Sequence, residues 1–190
     1  MCNTRNSITS NGFDTLQFSI HNLSVKSISD CLLIALNNIS ENNSQLKNLL
    51  FKVYLNRDFL KNIYSLRALR IVFQNIKLLF DLKIDFKIEA RIPMEYLSTD
   101  QHNNLIQLST LSCSAVLSGM DYLVCELPNI PLEPNALKWK TACFHLQQIL
   151  KQEAKLNGLK DPLAGSYFID SMTLKYAHEL WSSLQKKIKE

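Results

Sequence analysis

Residues Leu49 to Ile92, LLFKVYLNRDFLKNIYSLRALRIVFQNIKLLFDLKIDFKIEARI, decide the fold. The first seven, Leu49 to Leu55, are aliphatic and aromatic and read as a buried strand. Asp58 then stands where it can cap a helix. The apolar stripe Phe59, Ile63, Leu66, Leu69, Phe73, Ile76 and Phe80 follows at helical spacing, amphipathic over about six turns. Phe86 to Ile92 (FKIEARI) alternates and reads as the next strand. Strand, long helix, strand is the unit that builds a parallel sheet, because the helix supplies the crossover.

The same grammar extends both ways. Upstream, Leu16 to Ile20 (LQFSI) is strand-like, and Ser24 can cap a helix carrying Val25, Ile28, Leu32, Ala35 and Ile39. The polar stretch Glu41 to Asn48 reads as a loop. Downstream, Ser98 and Gln101 have capping-box spacing, and a helix with Leu105, Leu108, Leu111 and Ala115 runs until Gly119. Tyr122 to Cys125 is the fourth strand, and a Pro-rich loop leads to a helix from about Asn135 that Asn157-Gly158 ends. A terminal helix after Asp170 buries Leu174, Ala177, Trp181, Leu184 and Ile188. The expected fold class is α/β: four βα units with parallel strands, a partial TIM barrel, plus a C-terminal helix. Residues 1–12 are expected to be a flexible N-terminus, 13–158 the half-barrel, and 159–190 a loop and the terminal helix.

Composition narrows the class. The 190 residues are 46% hydrophobic and 20% charged, which suits a globular domain and argues against disorder. A complete (β/α)8 barrel needs roughly 250 residues, so this length fits only part of one. The five cysteines (Cys2, Cys31, Cys113, Cys125, Cys143) show no C-x-x-C, so they read as buried thiols in a reducing compartment rather than a zinc or redox pair. The first residues carry no apolar run of the kind a secretory signal needs. The longest apolar run, Cys31 to Leu36, is far below the ~20 residues of a membrane span. A cytoplasmic protein with no membrane contact is expected. A net charge of +4 invites nucleic acid, but the only dense basic stretch is Lys186, Lys187 and Lys189, which suits a helix end.

Candidate chemistry is sparse. With glycines only at 12, 119, 158 and 165, no phosphate-binding loop can be written. His21, His102, His145 and His178 have no metal-ligand spacing, so no metal is expected. His102, His145 and His178 fall on helices. His21 differs, since it follows directly on a strand's C-terminal end, where parallel α/β folds place their catalytic groups. An imidazole there can act as a general acid or base near neutral pH, so His21 is the candidate catalytic residue. Glu95 and Glu126 also follow strand ends, without a spacing that sets them face to face. Asp100 to Leu105 (DQHNNL) resembles a cobalamin-ligating D-x-H-x-x-G run but has Leu105 for the glycine and reads as a helix start, so it is rejected as a ligand.

Asp161 to Asp170 reads DPLAGSYFID, with Met172-Thr173 after it. This run is similar to the D-P-x-G-G-S-Y-x-x-E-x-L-T signature of the methylmalonyl-CoA mutase family, with Ala164 for the first glycine and Asp170 for the glutamate. Leu66 to Arg70 (LRALR) resembles the family's RALR helix, and Asp100 with Asn103-Asn104 its D-P-Y-N-N run. Ser114 to Tyr122 (SAVLSGMDY) and Gln147 to Ala154 (QQILKQEA) resemble two further helix segments, and the likeness spans about 13–185. It implies the last four βα units of the mutase barrel and the helix after it.

The resemblance also implies a chemistry and its loss. The family interconverts methylmalonyl-CoA and succinyl-CoA through a radical drawn from adenosylcobalamin, which the closed barrel shields from water. His21 aligns with the family's catalytic histidine after S-G-Y, but Ile20 replaces the tyrosine. After Arg91, Ile92-Pro93-Met94-Glu95 stands where the family has T-H-x-Q-T-S-G-W. Gln107-Leu108-Ser109 replaces Arg-Thr-Thr, and Cys143-Phe144-His145 replaces Ala-Arg-Asn. Pro, Leu and Phe cannot make the hydrogen bonds of the groups they replace.

The pattern is closest to the small, non-catalytic subunit of heterodimeric mutases. It implies adenosylcobalamin bound by a partner, none on this chain alone, and a large mutase subunit or complementary barrel half as partner. The alternatives are a split active mutase half with His21 as general acid, and a repurposed α/β interaction module. An open half-barrel is further expected to expose two strand edges and an apolar inner face.

Overall fold

Asp14–Ile20 and Leu46–Tyr54 lie side by side in parallel, Phe18 opposite Phe51, and the rest of the sheet grows from this pair. The computed structural model describes residues 3–5, 14–41, 46–96, 101–125, 134–158 and 161–189. Its five strands are β1 (Asn3–Arg5), β2 (Asp14–Ile20), β3 (Leu46–Tyr54), β4 (Asp85–Ile92) and β5 (Tyr122–Cys125). They form one sheet in the order β1-β2-β3-β4-β5, in which β2 to β5 are parallel. The helices are α1 (Val25–Glu41), α2 (Phe59–Leu79), α3 (Gln101–Leu117), α4 (Pro134–Gln148) and α5 (Tyr167–Lys189). Four parallel strands with helices between them are the partial-barrel arrangement expected from the βα pattern.

The strand alternation sorts the two faces. Leu16, Phe18 and Ile20 on β2, Leu49, Phe51 and Val53 on β3, and Phe86, Ile88, Ala90 and Ile92 on β4 are buried under the helices. Phe73 of α2 stacks on Phe86 at 4.2 Å between ring centroids and meets Phe51 edge-on at 6.2 Å. The opposite parity is mostly polar: Gln17 and Ser19, Lys52 and Tyr54, and Lys87, Glu89 and Arg91, with Leu50 and Val124 among them. The expected apolar inner face is therefore corrected to a mixed one. The uncovered face carries charge because water, or polar groups, must meet it.

Two strand edges are expected, and one of them lies further out than the βα pattern alone gives: the sheet order leaves β1 and β5 at the edges, with β2 covered. β1 falls within 1–12, read from the sequence as flexible, and pairs antiparallel with β2, Thr4 opposite Phe18. A three-residue strand has too little periodicity to be seen in sequence, and its partner's open edge supplies the hydrogen bonds.

Capping follows the sequence where it is described. Ser24 Oγ accepts from Ser27 N at 3.2 Å, and Asp58 accepts from Lys61 N at 3.0 Å. Gly119, at φ +77°, ends α3 in the left-handed conformation that glycine adopts without strain. Ser98 lies outside the described residues.

Other boundaries moved. β3 takes in Leu46 to Asn48, read as loop, because Leu46 and Asn48 pair with Asp14 and Thr15. α4 gives way at Gln148 to a wider π turn, Ile149–Glu153, before a 3-10 turn at Leu156–Gly158. α5 begins at Tyr167, inside DPLAGSYFID, and buries Ile169, Thr173, Tyr176, Ala177, Leu180 and Leu184. Leu174 and Ile188, expected inside, are exposed, as are Leu105 and Phe80. α5 packs across α1 and α2 together, so its buried stripe is phased one position away from Leu174.

Candidate site at the C-terminal strand ends

Tyr54 and Arg91 are partners in register at the C-terminal ends of β3 and β4, and His21 follows directly on β2. All three have the parity of the uncovered face, since Ile20, Val53 and Ala90 point to the helices. The His21 imidazole stacks on the Tyr54 ring, with centroids 4.2 Å apart and planes inclined by 19°. Arg91 Cζ lies 6.0 Å from the centre of the same ring, at the outer limit of a cation–π contact. Arg91 Nε donates to Glu89 Oε1 at 2.5 Å, so its charge is partly matched. Leu55 N donates to Arg91 O at 2.8 Å and carries the ladder one residue past β3.

The loops below this row are held from within the fold. Tyr176 of α5 donates its hydroxyl to Leu23 O at 2.9 Å, two residues from His21. Burial first, then the nearby Tyr64 and Glu179, pushes the Tyr176 phenol well above its ordinary range, so it remains a donor. Asn62, fully buried, accepts from Asn56 N and donates to Asn56 O, each at 2.8 Å, and also donates to Ser114 Oγ at 3.2 Å. One amide thereby fixes the turn after β3 and links it to α3. Ile92, which ends β4, and Pro93 after it are buried, and Met94–Tyr96 forms a 3-10 turn, with Arg57 Cζ 4.9 Å from the centre of the Tyr96 ring. Burial, and secondarily Glu95, raises the Tyr96 phenol against the opposing pull of Arg57.

His21 is thus exposed at the strand end where sequence placed it, stacked on Tyr54. His145 and His178 are exposed on helices, and His102 lies in the first turn of α3. Glu95 is exposed in the 3-10 turn, and Glu126 lies outside the described residues. Tyr54, Glu89 and Arg91 were not singled out from sequence as site residues. The parity of β3 and β4, each ending on a large polar residue of the non-core face, was the available signal.

A cavity of about 810 Å³ lies elsewhere, between α2, the end of α3 and the end of α4, and includes Arg67, Arg70, Gly119, Asp121, Gln147 and Lys151. The chemistry of the row is a proton carrier, a ring and a paired cation. Among the described residues, no three His, Cys, Asp or Glu side chains are grouped to hold a metal. A corrinoid's lower ligand does not fit either. His102 sits within helix α3, and Leu105 occupies the next turn where a ligating loop needs glycine.

The family profile described as methylmalonyl-CoA mutase matches residues 36–190. A methylmalonyl-CoA mutase of Cereibacter sphaeroides is 31% identical over 91 residues, which are 46% of this chain and 12% of that protein. One of Rhizobium meliloti is 30% identical over 91 residues, with the same shares. A methylmalonyl-CoA mutase small subunit of Porphyromonas gingivalis is 28% identical over 82 residues, 43% of this chain and 13% of that protein. The matched stretches thus span about an eighth of these relatives.

Proposed function

The chain belongs to the methylmalonyl-CoA mutase family, and on that premise we propose that this segment is a non-catalytic wall of a mutase barrel. Its partner is a cobalamin-binding mutase chain, which carries the interconversion of methylmalonyl-CoA and succinyl-CoA, and the assembly works in the cytoplasm. No helix among the described residues is long and apolar enough to cross a membrane.

The turn after Arg91 carries this reading. The family's T-H-x-Q-T-S-G-W brings hydrogen-bonding side chains to the barrel mouth there. Here Ile92 and Pro93 are buried, and the turn closes on its own backbone, Tyr96 N donating to Pro93 O at 3.4 Å. Such a turn offers a substrate little to bind. The mostly polar inner face and the kinship with a small subunit support a role in assembly.

A second reading rests on His21. Its exposure at the strand end suits a general acid in an active site completed by the complementary barrel half.

Size-exclusion chromatography with light scattering, on this chain alone and mixed with a cobalamin-binding mutase chain, tests the assembly role. One complex of the summed mass is expected. Two unshifted peaks at micromolar concentration would overturn it.

A further inference from the structure

Eighteen positions separate Cys125 from Cys143, a spacing that hides any relation between them in the sequence. The fold brings them together. Cys125 ends β5, and Cys143 lies on the buried face of α4, 5% exposed. Gln147, one helical turn after Cys143 and so on the same face, brings Nε2 to 4.0 Å from Cys125 Sγ. The same helix face sets Cys143 beside Cys125. The neighbouring Cys143 holds the Cys125 thiol below its ordinary range, while Cys125 and burial push Cys143 up. Cys125 is half-buried, whereas Cys31 is fully buried and burial alone raises Cys113.

We propose that Cys125 and Cys143 form a reversible disulfide on meeting a hydroperoxide, Cys125 as the attacking sulfur and Cys143 as the resolving one. The Cys125 thiolate attacks the peroxide's distal oxygen; an S–O bond forms, the O–O bond breaks, and the alkoxide or hydroxide leaves with a proton. Cys143 then gives up its proton, its sulfur bonds to Cys125, and the S–O bond breaks to release water. Two thiols lose two electrons and two protons, and the peroxide gains both. The bond ties α4 covalently to the C-terminal end of β5, the strand end at which His21, Tyr54 and Arg91 also lie, but on the opposite, helix-covered face of the sheet.

The test uses the full reduced chain, hydrogen peroxide, thiol counting under denaturing conditions and peptide mapping. Two of the five thiols are expected to disappear, with a mass loss of two hydrogens, one linkage joining the Cys125 and Cys143 peptides, and full reversal by dithiothreitol. The oxidised chain melts about 5–10 °C higher than the reduced one. Cys143→Ser stops at a sulfenic acid on Cys125 that dimedone traps, and Cys31→Ser behaves as the parent. A linkage through any other cysteine, a disulfide between two chains, or over-oxidation of Cys125 without a link in the parent protein overturns the proposal. Mapping the parent chain requires no variant to fold.

Discussion

Arg67 grips both carboxylate oxygens of Asp161, 94 residues away, with Nη1–Oδ1 at 2.9 Å and Nη2–Oδ2 at 2.8 Å. Asp170, at 3.7 Å, adds a second negative charge. One turn on, Arg70 donates to Gly119 O and to Asp121, both at 2.8 Å. Two arginines of one helix therefore join three stretches that carry the family likeness: the RALR run, the end of α3, and DPLAGSYFID. These residues maintain architecture. They do not reach His21, so the architecture they hold is separate from the row at the strand ends.

Replacing Arg67 tests that role. Arg67→Lys keeps the charge but cannot form the fork, and Arg67→Ala removes both. A loss of about 1–2 kcal/mol is expected for alanine and somewhat less for lysine, because Asp161 remains partly solvated. Urea unfolding gives the value, and proteolysis of α5 before the rest of the chain would mark the loosened end.

The same pair sets an acid limit. The hydrogen bonds from Arg67, with help from Leu163 N, hold the Asp161 carboxyl below the usual carboxylate range. A pKa lower in the folded than the unfolded chain gives stability present above the unfolded value, about 3.9, and lost as pH falls through the folded one. Melting temperature should fall below about pH 4 in the parent, and the Asp161 part of that fall should be absent in Arg67→Ala. An unchanged acid profile in the variant would remove this pair from the account.

Tyr176→Phe takes only the hydroxyl that Leu23 O accepts. The carbonyl left behind is buried, so a cost of about 1–3 kcal/mol is expected. Faster amide exchange should be confined to the turn between β2 and α1. Uniform exchange across the sheet would mean that α5 does not hold that turn.

Phe73→Ala removes a ring that is 1% exposed and packed on both Phe86 and Phe51. About 3–5 kcal/mol of destabilisation is expected in equilibrium unfolding.

Much of this was legible in the sequence, and the misses share a cause. The strands from Leu16, Leu49, Phe86 and Tyr122 and the caps at Ser24 and Asp58 are local signals, because periodicity and capping act over a few residues. β1, the phase of α5 and the cysteine pair depend on contacts between distant segments, which no window of sequence contains. The inner face is mixed rather than apolar: Lys52, Lys87, Glu89 and Arg91 alternate visibly with the core residues, and Leu50 lies among them. At the site, His21 was found from its place after a strand, whereas Tyr54 required the register between β2 and β3 that stacks the two rings.

Isomerase turnover by the assembled pair of chains, with this chain as the parent or as His21→Ala, bears most directly on the central claim. His21 is exposed, and its imidazole stacks on Tyr54 at the rim of the sheet rather than in the core, so the variant should fold and assemble normally. A non-catalytic barrel wall predicts the same turnover with either form and none from this chain by itself. Turnover abolished by His21→Ala in an intact complex, or sustained by this chain alone, would contradict it.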